Sequence, residues 1–456
     1  MVVRVVVAVR DFGPFEQASL EFKPLTVIVG RNSVGKSMLA YLVWALAISM
    51  ADFSRLGELA GKRGLALAEK VLEKTRSGST PLEEFRELVR LNIELLPKAI
   101  ASSVESSLKK VFGVELGELV RVGADRAVIS VDTGRASLDI VVGKNGVQVT
   151  NFKCHLSPSK FVDRLEVEVV ASKRLRISYE GETVYDDVVA SLKDVVDMLV
   201  NTLIEYMALT LAPLFGVETF AALLPDSRAG VSRVLLKPYP LHSPLAKTTF
   251  YPDEHFVNLY YRLAEALHEG LVELELVKPL LEELGCSLEP VLEAGVYNVY
   301  VRSWTGKRVP LSYAPSGVRE LLTVALALAA REEPYMVVVE EPEAHLHSRA
   351  QKLLARLIAR AVNELGKWVL ITTHSDYIVY TMSNLIALSQ HPEKIRELGY
   401  AENEALNPNM VAAYLVKAMD RGAIVERLAV GPEGIPEDKF TKIAEELAEE
   451  RARILA

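Results

Sequence analysis

Short apolar runs and amphipathic segments follow one another along the chain, and their spacing predicts its elements. Residues 2–9, 16–22 and 25–29 are rich in Val, Leu and Ile and are separated by turn residues, so they predict three strands. Residues 52–112 carry charges at helical spacing and are interrupted at 77–81 by Ser-Gly-Ser-Thr-Pro, which indicates two helices.

The next part of the chain changes to strand patterns and then returns to helices. Five further strands are predicted at 126–132, 137–143, 146–152, 164–170 and 173–180. Apolar periodicity then predicts helices at 188–216, 253–269 and 272–284.

From Val296 onward, strands and helices alternate. The predicted order is a hairpin at 296–313, a helix at 316–331, a strand at 335–340, a helix at 346–365, a strand at 368–373 and a helix at 376–388. This alternation predicts a parallel sheet with helices packed on it. We expect the strand at 25–29 to join that sheet, so residues 51–290 are largely an insertion.

Length, charge and cysteine usage narrow the class of protein. A chain of 456 residues suggests two or three structural units, and its net charge of -8 argues against a surface coated in basic charge. Cys154 and Cys286 lack the spacing of a zinc site or a disulfide framework. The start lacks a secretion pattern, and the uncharged run Ser37 to Ala51 is shorter than the roughly 20 residues of a membrane helix. We therefore expect a cytoplasmic protein without a membrane partner.

The first candidate site is the segment GRNSVGKS, which fits the pattern G-x-x-x-x-G-K-[ST] between a predicted strand and an apolar helix. Glycine permits a turn that points successive N–H groups at phosphate oxygens, and the helix N-terminus adds partial positive charge. The pattern predicts that Lys36 reaches the β- and γ-phosphates of ATP and that Ser37 binds Mg²⁺. A glycine turn with a stray lysine is the alternative interpretation. The residues expected to bind the nucleotide here are Gly30, Arg31, Asn32, Ser33, Val34, Gly35, Lys36 and Ser37.

Two carboxylates end the apolar strand at 335–340. Glu340 is the candidate for coordinating Mg²⁺ through water, and Glu341 is the candidate for orienting or deprotonating the water that attacks the γ-phosphate. The alternative is a strand that ends in a solvated acidic turn.

A histidine follows the strand at 368–373. At the carboxyl end of a strand in an α/β sheet, His374 is placed to contact the γ-phosphate, unless the segment merely caps a helix through Ser375. His345 and His347 do not predict a metal site, because residues two apart do not share a helical face and no third ligand is evident.

Taken in order, these motifs resemble those of ATP-binding-cassette ATPases, and above all the OLD-like AAA group related to SMC, RecF and RecN proteins. GRNSVGKS resembles the Walker A motif, VVVEEPEAHLH the Walker B motif with its D-loop, and ITTHS the H-switch. The segment PSGVRE resembles a degenerate signature motif, which adds Ser316 and Gly317 to the nucleotide-binding residues. The segment LLPDSRAG resembles one that such ATPases have before the signature, and this resemblance makes Arg228 a candidate functional residue. Glu340 replaces the usual Asp of Walker B, and Val318 and Arg319 replace a glycine and a glutamine of the signature.

The resemblance implies an α/β fold: a P-loop NTPase of ABC-ATPase type with a mixed, mainly parallel core sheet flanked by helices and a large α+β insertion. The segments expected are a first part of the ATPase head (1–50), a helical and β insertion (51–215), a connecting helical subdomain (216–295), a second part of the head (296–390) and a C-terminal extension (391–456).

The resemblance also implies a mechanism and partners. Two heads would sandwich two ATP molecules, with the signature helix of one completing the site of the other, so we expect a nucleotide-dependent homodimer. The implied role is DNA repair or anti-phage defence with a separate effector or nuclease protein, because no Asp-x-Asp follows residue 390. The alternative is a scaffold ATPase that controls a protein effector without touching DNA, which the net charge favours. A transporter subunit fits poorly, because such subunits are usually about half this length.

Overall fold

The strands and helices follow most of the predicted boundaries. The structure is a computed structural model that describes residues 5–49, 53–171, 173–211, 221–228, 230–231, 250–293, 295–436 and 449–454. The strands are β1 (Val5–Phe12), β2 (Phe15–Phe22), β3 (Leu25–Gly30), β4 (Arg126–Asp132), β5 (Ala136–Gly143), β6 (Gly146–Cys154), β7 (Leu165–Ala171), β8 (Arg174–Tyr179), β9 (Glu182–Val188), β10 (Ala221–Leu224), β11 (Cys286–Glu293), β12 (Val296–Ser303), β13 (Arg308–Pro310), β14 (Met336–Glu340), β15 (Trp368–Thr373), β16 (Val411–Met419) and β17 (Gly422–Leu428).

The helices complete the order of elements along the chain. They are α1 (Lys36–Ala47), α2 (Phe53–Arg76), α3 (Leu82–Phe112), α4 (Pro158–Asp163), α5 (Leu192–Thr210), α6 (Tyr251–His268), α7 (Leu274–Leu284), α8 (Ser316–Ala329), α9 (Ser348–Leu365), α10 (Asp376–Leu388) and α11 (Pro392–Glu397). Part of the helix predicted at 188–216 lies outside the described residues.

The chain divides into two compact units that interleave in sequence. Unit 1 comprises residues 1–13 and 45–219, and unit 2 comprises residues 14–44 and 220–456. The five segments expected from the sequence stay a prediction, and the two units divide the chain at other points.

Unit 1 combines an antiparallel meander with long helices. Strands β1, β4, β5 and β6 pair in that order, each antiparallel to the next. Helix α2 is broken at Gly61, whose φ is 54°, and α3 ends at Gly113 in the left-handed conformation that favours glycine. A second antiparallel sheet, β7–β8–β9, precedes α5, which begins with a capping box between Ser191 and Asp194.

The centre of unit 2 is a five-stranded parallel sheet in the order β10–β14–β15–β3–β16. Val27 of β3 pairs with Ile371 on one side and Ala413 on the other. These strands are apolar along their whole length because helices cover both faces of a parallel sheet. Val27 and Ile371 are fully buried, and each such side chain contributes roughly 1.5–3 kcal/mol through removal from water. The carboxyl ends of β3, β14 and β15 therefore meet at one edge of a rigid sheet.

The predicted fold class, a mixed α/β fold with a mainly parallel core sheet, is confirmed. The strand at 25–29 does share a sheet with the C-terminal strands, as expected. Within the residues expected to form a C-terminal extension, β16 pairs with β3 in the core sheet and β17 pairs antiparallel with β16. Strands β9, β10 and β11 were not predicted.

Candidate functional site

The glycine-rich loop connects β3 to α1 within unit 2. Gly30 has a φ of 152°, and a Cβ there would lie 2.5 Å from the carbonyl oxygen of Val416 in β16. Only glycine allows this close approach. Arg31, Asn32 and Ser33 are exposed at the tip of the loop. The loop is therefore held against the sheet at its base and is open to solvent at its tip.

Lys36 lies inside the loop. Its side chain is 5% exposed, and Nζ donates hydrogen bonds to the carbonyl oxygens of Gly30 at 2.8 Å and Arg31 at 3.0 Å. Helix α1 behind it is apolar because it is buried: Leu42 and Trp44 are inaccessible to solvent, and Trp44 Nε1 donates to the carbonyl of Ala221 in β10. The apolar helix thus fixes a charged amine at the carboxyl end of β3.

Glu340 ends β14 and is largely buried. Its Oε2 accepts hydrogen bonds from Tyr41 Oη at 2.9 Å and from the backbone N–H of Asp226 at 3.1 Å. Burial, together with the negative charge of Glu340, raises the pKa of Tyr41 well above its usual value, so the phenol stays a donor. Tyr41, on α1, thereby connects the helix behind the loop to the first carboxylate.

Glu341 occupies the centre of the site. Its φ is 44°, which is uncommon for a residue with a Cβ, and its backbone N–H donates to Thr372 of β15. Glu341 Oε1 lies 3.4 Å from Lys36 Nζ, and Oε2 contacts His374 Nδ1. Burial and then the charge of Glu343 raise the pKa of Glu341, while Lys36 and His374 act in the opposite direction. The structure thus brings together the lysine, the second carboxylate and the histidine that the sequence singled out.

Glu343 also belongs to the cluster, although the sequence did not assign it a role. Its side chain is 5% exposed, and its Oε1 accepts hydrogen bonds from Thr373 Oγ1 at 2.6 Å and from the backbone N–H of His374 at 2.8 Å. Glu341, Glu343 and His374 each offer one possible metal-ligand atom, and these atoms lie within 4.8 Å of one another. The sequence signal that could have identified Glu343 is its position as the third glutamate of EEPEAHLH.

Arg228 is almost fully buried and holds the end of β14. Its guanidinium donates to the carbonyl oxygens of Glu340 at 2.5 Å and Glu341 at 2.6 Å, and it also donates to that of Pro225. The same guanidinium lies 3.9 Å from the carboxylate of Glu320 in the first turns of α8. Arg228, for which only the resemblance suggested a role, therefore connects α8 to the backbone of Glu341.

Ser316 and Gly317 begin α8. A Cβ on Gly317 would lie 2.8 Å from the carbonyl oxygen of His345, so the helix start and the segment after β14 pack without room for a side chain. Among the described residues, no hydrogen bond or ion pair joins Ser316 or Gly317 to the loop at 30–37.

His345 and His347 have separate partners. His345 Nε2 lies 3.7 Å from Glu320, whereas His347 caps α9 by accepting a hydrogen bond from the backbone of Arg349. Ser37 is half-buried in the first turn of α1. Its expected role in binding Mg²⁺, like that of Glu340, stays a prediction.

A comparison with protein families gives this site a chemical context. Residues 258–379 match the family described as AAA ATPase domain. The match includes Glu340, Glu341 and His374, and the glycine-rich loop that precedes it in sequence supplies the phosphate-binding pattern. The chain is thus an ATPase, an enzyme that binds ATP and hydrolyses it. No curated protein matches the sequence significantly.

Solved structures of SMC head domains align with nearly the whole chain at low identity. An SMC head bound to the C-winged helix domain of ScpA is 13% identical, with 94% of this chain and 97% of that chain covered and a TM-score of 0.43. A second match is an Smc head domain with an extended coiled coil, bound to the C-terminal domain of ScpA, derived from Pyrococcus furiosus. It is 12% identical, with 98% of this chain and 100% of that chain covered and a TM-score of 0.44. The SMC head domain from Thermotoga maritima is 12% identical, with 94% of this chain and 100% of that chain covered and a TM-score of 0.38. Because these TM-scores are below 0.5, the fold assignment rests on the strand order and loop of this chain.

Among the helices in the described part of the chain, none is both long and apolar enough to cross a bilayer.

Proposed function

We propose that this ATPase binds ATP in the loop Gly30–Ser37 and hydrolyses it with Glu341 as the general base. The observation that carries the proposal is the convergence of three groups. Lys36 Nζ lies 3.4 Å from Glu341 Oε1, and His374 Nδ1 contacts the other oxygen of the same carboxylate. Transfer of a phosphoryl group to water requires a cation that binds the phosphates and a base that activates the water. Lys36 and Glu341 provide these two groups, with His374 beside them at the same sheet edge.

Each group has a role that follows from its surroundings. Lys36 neutralises charge on the β- and γ-phosphate oxygens, and the exposed tip of the loop supplies backbone N–H groups to them. Glu341 accepts a proton from the attacking water, and its raised pKa makes it a stronger base than an exposed carboxylate. His374, which is half-exposed beside Glu341, donates to the γ-phosphate.

The donor set also fits a magnesium ion. Ser37 offers a hydroxyl in the first turn of α1, and Glu340 offers a carboxylate whose two described hydrogen bonds both end on Oε2. Oxygen ligands of this kind are those that Mg²⁺ prefers, usually with several retained waters. When bound, the ion neutralises charge that develops on the phosphate oxygens.

We further propose that hydrolysis takes place in an ATP-dependent homodimer. The support is that Ser316 and Gly317, at the N-terminus of α8, make no described hydrogen bond or ion pair with the loop of their own chain. In the proposed dimer they contact the γ-phosphate held by the partner. ATP, bound by two chains at once, then stabilises the dimer, and its hydrolysis releases it.

The purpose of such a switch is inferred from motif likeness to OLD-like and SMC- and RecF-related ATPases. We propose a role in DNA repair or anti-phage defence with a separate effector protein. The net charge of -8 favours one alternative, a dimer that controls a protein effector without contacting DNA.

The direct test is phosphate release from ATP by the purified chain. Lys36→Ala should abolish ATP binding and turnover, whereas Lys352→Ala, which removes a lysine of α9 beside Tyr400, should leave both unchanged. Turnover by Lys36→Ala at the wild-type rate would refute the assignment of the loop.

The same assay with duplex DNA tests the proposed role. Stimulation of turnover that fades as salt is raised supports DNA sensing, because phosphate contacts release counterions. Turnover that is indifferent to DNA at every salt concentration supports the protein-effector alternative.

A further inference from the structure

Glu341, Glu343 and His374 form a compact set of metal-type ligands, here termed the ligand cluster. Each contributes one ligand atom, and these atoms lie within 4.8 Å of one another. Two ligand atoms at about 2.1 Å from one ion lie about 3.0 Å apart in octahedral and about 3.4 Å apart in tetrahedral geometry. His374 Nδ1 and Glu343 Oε1 are 3.4 Å apart, so this pair already has the spacing of two ligands on one cation.

A second observation points to a ligand at the same place. The Glu343 side chain is 5% exposed, and within the described residues its Oε2 accepts no hydrogen bond. A buried carboxylate oxygen without a donor costs free energy, which a coordinated cation would offset.

The surroundings of the cluster resemble the outer shell of a metal site. Thr373 Oγ1 and the backbone N–H of His374 both donate to Glu343 Oε1 and fix the orientation of this carboxylate. Such hydrogen bonds orient metal ligands in proteins. Lys36 faces Glu341, and the charge of Arg228 interacts with those of Glu320, Asp226, Glu340 and Glu343. Among these described residues, five carboxylates outnumber two cations, and this excess of negative charge favours a divalent ion.

We propose that Glu341, Glu343 and His374 bind a divalent transition-metal cation of the Mn²⁺ or Zn²⁺ class, at a site separate from the Mg²⁺ held by Ser37 and Glu340. One imidazole with two carboxylates suits these ions, whereas Mg²⁺ prefers oxygen ligands alone. Metal ligands coordinate in their deprotonated forms, a carboxylate for Glu341 and Glu343 and a neutral imidazole for His374.

This site regulates the enzyme if the proposed function is correct. A cation on Glu341 occupies the carboxylate that would accept the proton of water. The bound metal therefore inhibits hydrolysis while leaving Lys36 and the loop free to bind ATP. This consequence rests on the proposed function, but binding of the metal itself does not.

The test is binding of Mn²⁺ to the metal-stripped full-length chain without nucleotide, followed by electron paramagnetic resonance in a fixed excess of Mg²⁺. We expect one Mn²⁺ per chain. Glu343→Gln and His374→Asn should each weaken binding at least about tenfold, whereas Ser37→Ala should bind like the wild type. His374 is half-exposed, so its variant is expected to fold even if Glu343→Gln does not.

A matched control is His391→Asn. His391 Nδ1 lies 3.4 Å from Glu393 Oε1, which repeats the spacing of His374 and Glu343 on an exposed surface without belonging to the ligand cluster. This variant should keep wild-type affinity.

Three outcomes would overturn the proposal. They are absence of Mn²⁺ binding by the wild type, retention of binding in both cluster variants, and loss of binding in Ser37→Ala or His391→Asn instead. ATP turnover is measured separately on the same preparations. An enzyme that hydrolyses ATP without binding Mn²⁺ at the cluster would refute the metal site alone, and a chain that binds Mn²⁺ but not ATP would refute the proposed function alone.

Discussion

Gly30 shows how one residue ties the phosphate loop to the sheet. Its backbone passes so close to Val416 that an added Cβ would lie 2.5 Å from the Val416 carbonyl oxygen. The glycine pattern of the loop was evident in the sequence. Its physical reason was not, because β16, which carries Val416, comes from the far end of the chain.

Gly30→Ala should therefore weaken ATP binding at least about tenfold, because the loop or β16 must move to admit the methyl group. The matched control is Gly366→Ala at the end of α9, where φ is also positive (62°) but a Cβ meets nothing within 4 Å. We expect the control to lose about 1 kcal/mol of stability and to bind ATP normally. Calorimetric titration with ATP checks both variants, and equal affinities in the two would contradict the steric explanation.

Lys367 is a buried charge that the proposed mechanism does not use. Its side chain is fully buried, and Nζ donates to the Pro334 carbonyl oxygen at 2.7 Å. Burial lowers the pKa of Lys367 to about 8, from an ordinary value near 10.5. Between these values the unfolded chain holds a proton that the folded chain has lost, so stability attributable to this group rises with pH.

Lys367→Met removes this titration and keeps the aliphatic stem. The free energy of unfolding of the wild type, relative to this variant, should rise by roughly 2–3 kcal/mol from about pH 8 to about pH 10.5. Urea unfolding of both proteins across that range measures the difference. A difference that is constant or that falls with pH would contradict the assignment.

At the scale of elements, the end of β14 is held by α8 through Arg228. Arg228 donates to the carbonyls of Glu340 and Glu341 and faces Glu320 on α8. Helix α8, which is proposed to contact the partner's nucleotide, is thereby coupled to the backbone of Glu341, the proposed base. Arg228 and Glu320 are positioning residues in this account, since they act through Glu341.

Glu320→Gln keeps the shape of the side chain but removes the charge that faces Arg228. We expect kcat to fall about tenfold with an unchanged Kd for ATP, because small displacements of a reacting group are costly whereas the loop is untouched. Arg228→Lys should have the same signature. Steady-state turnover and ATP titration separate the two quantities, with thermal unfolding as a check that each variant folds.

Glu283→Gln provides the control for this pair. It breaks another arginine–carboxylate contact of unit 2, between Glu283 of α7 and Arg349 of α9. Its kcat and Kd should match the wild type. If Glu320→Gln instead raises the Kd for ATP and leaves kcat unchanged, the coupling between α8 and Glu341 is absent.

The elements also show what the sequence could and could not predict. Strands β3, β14 and β15 are continuous apolar runs followed by polar residues, so their existence and the functional residues at their ends were predictable. The place of β16 was not, because its pairing with β3 joins distant parts of the chain that local periodicity does not relate. Glu343 was missed as a site residue for a similar reason, because its carboxylate reaches the site by accepting hydrogen bonds from Thr373 and His374.

At the scale of the whole molecule, ATP joins two chains in the proposed dimer and hydrolysis separates them. In one chain, Lys36, Glu341 and His374 lie together, while the described contacts of Ser316 and Gly317 do not reach the loop at 30–37. In the proposed dimer these last two residues belong to the site of the partner. A chain that binds ATP but cannot hydrolyse it should then stay dimeric.

The most direct measurement is light scattering during size exclusion of Glu341→Gln with ATP and Mg²⁺. This variant keeps the shape of the side chain and removes the proposed base, so turnover should fall by a factor of about 10²–10⁴ while ATP stays bound. We predict the mass of two chains with ATP, and the mass of one chain without ATP or when Lys36→Ala is added. The mass of a single chain at saturating ATP and Mg²⁺ would show that ATP does not join two chains.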